Sequence, residues 1–326
     1  MIIVRDGSAR LVTDVASVVA IGVFDGLHLG HQKVIARARG LADEHVATLV
    51  VVTFDPHPAR VLAPERAPLL IGTLEQRIEA MALLGVDEVR ILTFDHVLAR
   101  ESPGEFVERV LVHELRAVQV VVGRDFRFGR DREGDVELLE SEGAMWGFSV
   151  FAAPIYGAAT RWSSTVIRRS LAAGDLDVAN AMLGRPFTLR GVVTHGDARG
   201  AELGFATANI ALAEFQQVPA AGVYAGAART REGRWWPAAI SIGTRPQFYV
   251  AGELLVEVHL VDFTGDLYGK TLDVAFLEHL RAQGSFDSVT ELVEAMGDDV
   301  AKTREIFKKF SPGAISLLGW DFGQRR

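Results

Sequence analysis

The sequence contains no cysteine. Its absence excludes disulfides, thiolate zinc sites, iron–sulfur clusters, a cysteine nucleophile and thioether or thioester lipid anchors. No apolar run approaches the roughly 18 residues that a membrane helix needs, and the first residues lack the basic and apolar segments of a signal peptide. We therefore expect a cytoplasmic protein that does not use a membrane.

Positive charge is not in excess either. Lysine and arginine total 34 against 42 aspartates and glutamates, which gives a formal net charge of -8. We expect no nucleic-acid partner, because binding such a polymer requires positive charge gathered on one surface. The sequence does not fix the oligomeric state, and a homo-oligomer is compatible with it.

Apolar residues are plentiful. The chain has 326 residues, of which 49% are hydrophobic, and its mean hydropathy is slightly positive at +0.19. This length is about twice that of a typical domain, so two domains with sizeable cores are expected.

Up to residue 183, short apolar runs alternate with segments of helical periodicity. The runs predicted as buried strands are 18–24, 47–54, 87–94, 117–123 and 148–154. Capping boxes at Thr73/Gln76 and Ser102/Glu105 predict two of the intervening helix starts. The alternation predicts an α/β domain over residues 1–183, with a parallel sheet covered by helices on both faces.

After residue 183 the rhythm changes. Strand-like segments follow one another at 186–195, 222–230, 235–243, 254–263 and 272–280. Such spacing predicts a small antiparallel barrel or sandwich over residues 184–326. A further capping box, Ser288 with Glu291, predicts one late helix that continues through Phe307.

The first predicted strand leads through a glycine-bearing turn into a helix whose start carries the sequence HLGH (28–31). The start of a helix binds anions through its unpaired N–H groups and its dipole. His28 and His31 are three residues apart, which would place both rings on one helical face. Two imidazoles there could stabilise charge on a leaving pyrophosphate. A metal-binding pair or a packed ring is the alternative.

The motif GVFDGLHLGH (22–31) resembles that of the HxGH nucleotidyltransferase superfamily, which transfers AMP or CMP from a nucleoside triphosphate. The resemblance implies a Rossmann-like parallel sheet, with His28 and His31 as catalytic residues. The nucleotide-binding residues that it implies are Gly22, Phe24, Asp25, Gly26, His28 and His31.

A second signature of that superfamily, ISSTxxR, is matched by WSSTVIR (162–168), with Trp162 in place of isoleucine. The resemblance implies that Ser164, Thr165 and Arg168 bind the triphosphate. Hydroxyls at a helix start and an arginine one turn later suit that role. Without the resemblance, Ser163, Ser164 and Thr165 would be interpreted as a simple N-cap.

Two loops follow predicted strands, where a parallel sheet exposes its ligand site. They are FDPHP (54–58) and GRDFRFGRDREGD (123–135), and both resemble loops of the FAD synthetase branch. There they border the flavin and adenine pockets, which implies such positions for Asp55, Pro56, Asp125 and Phe126. A plain turn at Asp55–Pro56 and a core position for the phenylalanines are the alternatives.

The sequence has no GxxxxGK[ST] motif, which excludes a P-loop kinase. Residues 191–209 instead combine four glycines with a Thr-x-Asn unit. The Thr207 hydroxyl and the Asn209 amide are hard oxygen ligands of the kind that Mg²⁺ accepts. The alternative for this segment is an ordinary glycine-rich turn.

The same segment resembles the riboflavin kinase signature GxLGFPTAN, which is followed by GVYA, GTRP and EVHLLDF. This chain has GVYA (222–225), IGTRPQF (242–248) and VEVHLVDF (256–263) in that order. Over residues 15–310 it therefore resembles the prokaryotic bifunctional riboflavin kinase/FAD synthetase family, whose C-terminal domain is a riboflavin kinase-like barrel.

The resemblance implies that Gly204, Thr207 and Asn209 bind the nucleotide, that Thr207 and Asn209 are also the Mg²⁺ ligands, and that Arg281 lies near the flavin. It implies that Glu257 is the general base for the riboflavin 5′-hydroxyl. From the residues alone, Glu257 interrupts an apolar strand on one face with His259, Val261 and Phe263. A solvated strand face is the alternative.

The implied function is phosphorylation of riboflavin to FMN by ATP, and then adenylylation of FMN to FAD with release of pyrophosphate. Three departures weaken the kinase signature: Ala206 for proline, Ala201 for a common arginine, and Gln247 for threonine. We expect reduced rather than absent kinase activity, because Thr207, Asn209 and Glu257 are retained. An FMN adenylyltransferase with an inactive flavin-binding barrel is the first alternative, and a flavin-binding or regulatory module with inert sites is the second.

Overall fold

The structure is a computed structural model that describes residues 1–6, 15–157, 161–195, 203–231, 233–244 and 254–309. The chain divides into two compact units, residues 1–68 with 74–163 and residues 69–73 with 164–326. The predicted division at residues 183/184 stays a prediction, and the two helices that precede it group with the second unit. Within the described residues, no helix is both long and apolar enough to cross a membrane.

The first unit contains a parallel sheet. Its strands are β1 Ile2–Arg5, β2 Ser17–Ile21, β3 Thr48–Asp55, β4 Glu88–Thr93, β5 Ala117–Gly123 and β6 Ser149–Ala153. They lie in the order β1-β4-β3-β2-β5-β6, and every neighbouring pair is parallel. The predicted α/β fold is confirmed. Strand β1 was not predicted; it is a four-residue edge strand.

Helices connect these strands. They are α1 Leu29–His45, α2 Pro58–Leu62, α3 Leu74–Leu83, α4 Pro103–Phe106 and α5 Val136–Trp146, and α4 continues as a π-helix over Val107–Glu114. The capping box predicted at Ser102 and Glu105 is present, with Pro103 in the first helical turn. Apolar residues of the central strands, such as Val19 and Val120, pack against this helical layer.

The second unit begins with α6 Ser164–Ala172 and α7 Leu176–Leu183. Its strands are β7 Phe187–Thr194, β8 Ala208–Leu212, β9 Gly222–Thr230, β10 Trp236–Thr244, β11 Leu254–Leu260 and β12 Thr271–Arg281. They close into a barrel in the order β10-β11-β8-β7-β12-β9 with antiparallel neighbours. This confirms the barrel and excludes the sandwich.

The strand predicted over 186–195 is confirmed as β7, whereas the interpretation of 191–209 as a glycine-rich turn missed the strand that begins near its end. Residues up to Thr194 belong to β7, and Ala208 begins β8, which pairs with β7 and β11. The sequence signal of β8 is weak because the strand has only five residues and directly follows a glycine-bearing turn.

Close strand approach shapes the barrel wall at Gly226 of β9. A Cβ atom there would collide with the carbonyl oxygen of Ala275 on β12, so the site requires glycine. The late helix α8, Val289–Lys309, packs Ile306 against apolar residues of β9 and β12, including Ala225 and Leu277.

The N-terminus of α8 differs in detail from the predicted capping box. Ser288 Oγ accepts a hydrogen bond from the Glu291 N–H at 3.2 Å, as expected. The Glu291 carboxylate, however, accepts from the N–H of Asp287 at 3.2 Å rather than from that of Ser288. The carboxylate therefore reaches one residue further back than the standard pattern.

Candidate active sites

The chain leaves the sheet after β2 through a turn that needs unusual backbone angles. Phe24 has a φ of +53° and Gly26 a φ of +74°, and only the glycine adopts this region without a Cβ penalty. The Phe24 side chain is only 2% exposed and lies edge-on to the His31 ring, with centroids 5.3 Å apart. Phe24 thus supports His31 from inside the unit, and its predicted nucleotide contact stays a prediction.

The three-residue spacing of His28 and His31 suggested that both lie within the helix, but His28 lies just before its first residue. It is the N-cap of α1, and its Nδ1 accepts hydrogen bonds from the backbone N–H groups of Gly30 at 3.1 Å and His31 at 3.3 Å. The two imidazoles nevertheless meet, because the capping rotamer stacks the His28 ring on the His31 ring at 3.6 Å. A Cβ at Gly30 would press on the His28 ring, which explains the glycine between the histidines.

The capping bonds fix the protonation of His28. Because Nδ1 accepts from two N–H groups, it carries no proton, and a neutral ring must carry its proton on Nε2. His28 is only 6% exposed. The neutral ring at the start of α1 therefore carries its proton on Nε2, and the predicted nucleotide contact of His28 stays a prediction.

The second phosphate-binding signature, WSSTVIR, lies at the start of a helix, as the sequence predicts. Ser164 is the first residue of α6, Thr165 follows it, and Arg168 lies one turn later, in the second unit. Arg168 Nε donates to the carbonyl oxygen of Leu69 at 2.6 Å. This bond orients the guanidinium, and the binding roles of the three residues stay predictions.

Trp162, which stands where the superfamily signature has isoleucine, packs within the first unit. Lys33 Nζ lies 5.6 Å from the centroid of its ring and 5.1 Å from that of Tyr156, so one ammonium contacts two aromatic faces. The Cβ atom of Trp162 lies 3.9 Å from the position that a Cβ atom at Gly30 would occupy. The Trp162 backbone therefore lies beside the HLGH turn, and its ring lies near Lys33 of α1.

The loop residues after β3 and β5 have different surroundings. Asp55 ends β3, precedes a cis peptide bond to Pro56, and approaches Arg5 at 3.4 Å. Asp125 forms an exposed ion pair with Arg161. The ligand roles predicted for Asp55, Pro56 and Asp125 stay predictions.

The two phenylalanines of the second loop form a stacked pair. The rings of Phe126 and Phe128 lie 5.3 Å apart at 15°. Phe128 is buried in the core and Phe126 packs partly against it. The core alternative therefore holds for Phe128, whereas the predicted pocket position of Phe126 stays a prediction.

In the barrel, the structure brings Asn209 and Glu257 together. They are directly opposite each other in the β8–β11 ladder, so their Cβ atoms lie on the same side. Thr207 precedes Asn209 by two residues, which is the same-face spacing of an extended segment. Ser241 of β10 is opposite Glu257 on its other side. Hydroxyl, amide and carboxylate groups therefore converge on one patch of the barrel.

The face predicted for Glu257 is shorter than expected. Along β11 the buried residues Val256 and Val258 alternate with the half-buried Glu257 and His259. The strand ends at Leu260, so Val261 and Phe263 are not part of it. The alternation stops because the chain turns at Asp262, whose φ is +60°.

A cavity of about 560 Å³ opens beside this patch, and its lining includes Gly204, Thr207 and His259. Gly204 has a φ of +87°, which favours glycine at that turn. The wall also includes an ion pair between Asp262 and Arg304 of α8. The Arg304 guanidinium lowers the pKa of Asp262 from its ordinary value.

The side chain of Arg281 forms an ion pair with Asp299 within the second unit. Arg281 ends β12, and its Nη2 donates to the carboxylate of the buried Asp299 on α8 at 2.8 Å. The predicted place of Arg281 near the flavin stays a prediction. Ala201 and Gln247, two of the predicted departures from the kinase signature, lie outside the described residues.

Both halves of the chain match known protein families. A family model described as FAD synthetase matches residues 12–166, and one described as riboflavin kinase matches residues 183–307. The bifunctional riboflavin kinase/FMN adenylyltransferase of Pseudomonas fluorescens is 41% identical over 290 residues, which are 89% of this chain and 92% of that protein. The chain belongs to the bifunctional riboflavin kinase/FMN adenylyltransferase family.

Other members are similarly close. The protein of the same name from Bacillus subtilis is 35% identical over 87% of this chain and 90% of its own length. A crystal structure described as a macrolide-efflux protein from Streptococcus pneumoniae is 31% identical, with a TM-score of 0.84 over 95% of this chain and all of that chain. That likeness extends the shared architecture to a solved structure.

Membership of the bifunctional riboflavin kinase/FMN adenylyltransferase family confirms the resemblance drawn from HLGH, WSSTVIR and LGFATAN, and with it the prediction of a bifunctional flavin-cofactor enzyme. The inert-module alternative does not agree with this result. The roles predicted for individual residues stay predictions.

One buried residue near the HLGH turn, Arg77, was not predicted from the sequence. Arg77 of α3 is 4% exposed, and its Nη1 donates to the Val23 carbonyl at 2.5 Å and lies 3.4 Å from Thr53 Oγ1. Burial lowers the pKa of Arg77, while Asp25 and Asp55 act in the opposite direction. No motif marks Arg77, because it occupies an ordinary position of an amphipathic helix.

Proposed function

We propose that the barrel phosphorylates riboflavin with Mg–ATP and that the α/β unit then joins FMN to AMP. The observation that carries the first assignment is the pairing of Asn209 with Glu257 across β8 and β11. The observation that carries the second is the capped, stacked pair of His28 and His31 where a central strand meets α1.

In the kinase step, Glu257 accepts the proton of the riboflavin 5′-hydroxyl. The freed oxygen attacks the γ-phosphorus of ATP, the bond from that phosphorus to the bridging oxygen breaks, and ADP leaves. Positioning and neutralisation of charge supply most of the rate in such transfers. The half-buried setting of Glu257 beside Asn209 supports this role.

The Thr207 hydroxyl and the Asn209 amide oxygen fit Mg²⁺, which prefers hard oxygen donors and retains contacts to substrate phosphates. Among the described residues, no group of three or more His, Asp or Glu side chains could hold a metal ion. The cation is therefore proposed to arrive as Mg–ATP, bound chiefly by the phosphates and completed by these two side chains.

In the adenylyl transfer step, a phosphate oxygen of FMN attacks the α-phosphorus of ATP. The bond between the α-phosphorus and its bridging oxygen breaks, and pyrophosphate leaves. No general base is required, because the attacking phosphate is already ionised. In this proposal the Nε2–H of His28 donates to the nucleotide, which the bonds at Nδ1 support by leaving the ring proton on Nε2, and the resemblance assigns nucleotide binding also to His31, Ser164, Thr165 and Arg168.

These steps require only small-molecule substrates: riboflavin, FMN and ATP. A polyphosphate can be bound by a few local donors even on a chain with a net charge of -8. The expected lack of a nucleic-acid partner, the cytoplasmic location and the oligomeric state stay predictions.

One assay separates the bifunctional enzyme from its first alternative. Purified protein is incubated with Mg–ATP and either riboflavin or FMN, and the flavins are resolved chromatographically. We expect FMN and FAD from riboflavin, and FAD from FMN. FAD from FMN without any FMN from riboflavin would instead support an adenylyltransferase with an inactive barrel, which Ala206 in the kinase signature favours. Turnover of neither substrate would contradict both.

A further inference from the structure

His259 lies two residues after Glu257 on the same face of β11. Its Nδ1 atom is 2.8 Å from the carbonyl oxygen of Ala206. Because a carbonyl oxygen can only accept, the imidazole must carry a proton on Nδ1 and donate it. The His259 side chain therefore ties β11 to the residue immediately before Thr207.

This bond continues the strand pairing beyond its last backbone step. In the β8–β11 ladder, Asn209 is opposite Glu257 and Ala208 is opposite Val258. The next residues along the two segments are Thr207 and His259. At that point a side chain, instead of the backbone, connects β11 to the approaching loop.

The contact restrains the backbone that leads into Thr207. The carbonyl of Ala206 and the N–H of Thr207 belong to one planar peptide unit, so a donor that fixes the carbonyl also fixes the plane. The ring of Phe205 packs edge-on against His259, with centroids 5.6 Å apart at 71°. One imidazole thus holds two successive residues of the loop.

The restraint lies where the chain departs from the kinase signature. That signature has proline at the position of Ala206, and proline limits the backbone freedom that must be lost on ordering. Alanine supplies no such limit. Building on the proposed kinase function, we propose that His259 is a positioning residue that orders Ala206 and so holds Thr207 ready for Mg–ATP.

The test compares His259→Ala with His259→Asn in the conversion of riboflavin to FMN. Asparagine retains an N–H donor near the position of Nδ1, whereas alanine retains none. We expect His259→Ala to raise KM for Mg–ATP about tenfold and to change kcat less than about threefold. The reason is that the substitution removes the hydrogen bond that orders the loop. His259→Asn should stay within about threefold of the parent KM.

A second variant replaces the lost restraint by another route. In Ala206→Pro/His259→Ala, the proline ring restricts the loop without any imidazole, so KM should return to within about threefold of the parent. Ala206→Pro alone should change KM little, because the loop is already held. Such non-additive effects are expected when the imidazole and the proline ring restrain the same loop.

Formation of FAD from supplied FMN and the melting temperature control for damage to the fold. His113→Ala is the matched control, since its exposed imidazole lies on Trp146 in the first unit. An active parent whose KM does not move in His259→Ala would overturn this proposal alone. So would a raised KM that neither His259→Asn nor Ala206→Pro restores. A parent that forms no FMN from riboflavin would overturn the proposed kinase function and this proposal with it.

Discussion

His28 caps the helix that carries His31, and the two imidazole rings stack 3.6 Å apart. The cap and the stack have one cause, because the rotamer that brings Nδ1 to the N–H groups of Gly30 and His31 also lays the ring on that of His31. The Nδ1 atom of His28 thus caps the helix, and the ring proton lies on Nε2, the atom to which the proposed catalytic role belongs.

His28→Asn separates these two duties. Asparagine is a good N-cap, so the helix start is retained, but the ring that presents Nε2–H is lost. We expect FAD formation from FMN to fall by about 100-fold or more in both His28→Asn and His28→Ala. Only His28→Ala should also lose about 1 kcal/mol of stability. FMN formation from riboflavin should persist in both, and a His28→Asn variant with normal FAD formation would show that only the cap matters.

Glu257→Gln tests the proposed base of the kinase step. The amide retains the shape of the side chain and its place opposite Asn209, but it cannot accept the hydroxyl proton in the same way. We expect FMN formation to fall by about 10²-fold to 10⁴-fold, while FAD formation from supplied FMN is unchanged. Steady-state rates of both reactions on one preparation are the measurement. If a folded variant lost both activities together, the assignment to two separate sites would be wrong.

Arg77→Met tests the buried cation beside the HLGH turn. Methionine fills much of the volume but removes one of two donors to the Val23 carbonyl, the other being Thr53 Oγ1 at 3.1 Å, and the loss of a hydrogen bond from a charged group costs about 1.5–3 kcal/mol. It also removes the positive charge that interacts with Asp25 and Asp55. We expect a raised KM for ATP in FAD formation and a lower melting temperature, with kinase rates retained. Arg77→Lys should recover part of the KM, since it restores the charge without the guanidinium fork. An unchanged KM in Arg77→Met would assign Arg77 to stability alone.

Most of the fold could be predicted, because its signals are local. Buried strands such as 117–123 and the capping box at Ser102 depend on residues close together in the sequence. The two strands that were missed, Ile2–Arg5 and Ala208–Leu212, are short, and what stabilises them is pairing with strands distant in the sequence. No local pattern contains that pairing.

The same limit applies to the site. HLGH predicts two imidazoles near a helix start, but not that one of them caps the helix. The juxtaposition of Asn209 and Glu257 depends on the register between strands 48 positions apart in the chain (257 minus 209), and the alternation along β11 does not specify it. His259 could be placed on the face of Glu257, whereas its bond to Ala206 follows only from the three-dimensional path of the loop.

The barrel contains a buried charge cluster that the sequence did not reveal. Asp273 of β12 is 2% exposed and accepts hydrogen bonds from Arg190 Nε at 2.6 Å and Arg190 Nη2 at 3.1 Å. It also accepts from Arg229 at 3.3 Å. Arg229 in turn lies over the Trp235 ring, 4.6 Å from its centroid. One carboxylate thus balances two guanidinium groups from the neighbouring strands β7 and β9.

Asp273→Asn should therefore be costly although the side chain hardly changes in size. The amide removes the negative charge that both guanidinium groups contact, and the loss of one partner from a buried ion pair costs about 3–5 kcal/mol. The free energy of unfolding of the barrel, measured in urea, is the test. The matched control is Glu305→Gln, which breaks an exposed pair with Lys308 on α8 and should have no measurable effect. If Asp273→Asn were as harmless as that control, the two arginines would have to be solvated or balanced by another group, and Asp273 would not be what holds β7, β9 and β12 together at this point.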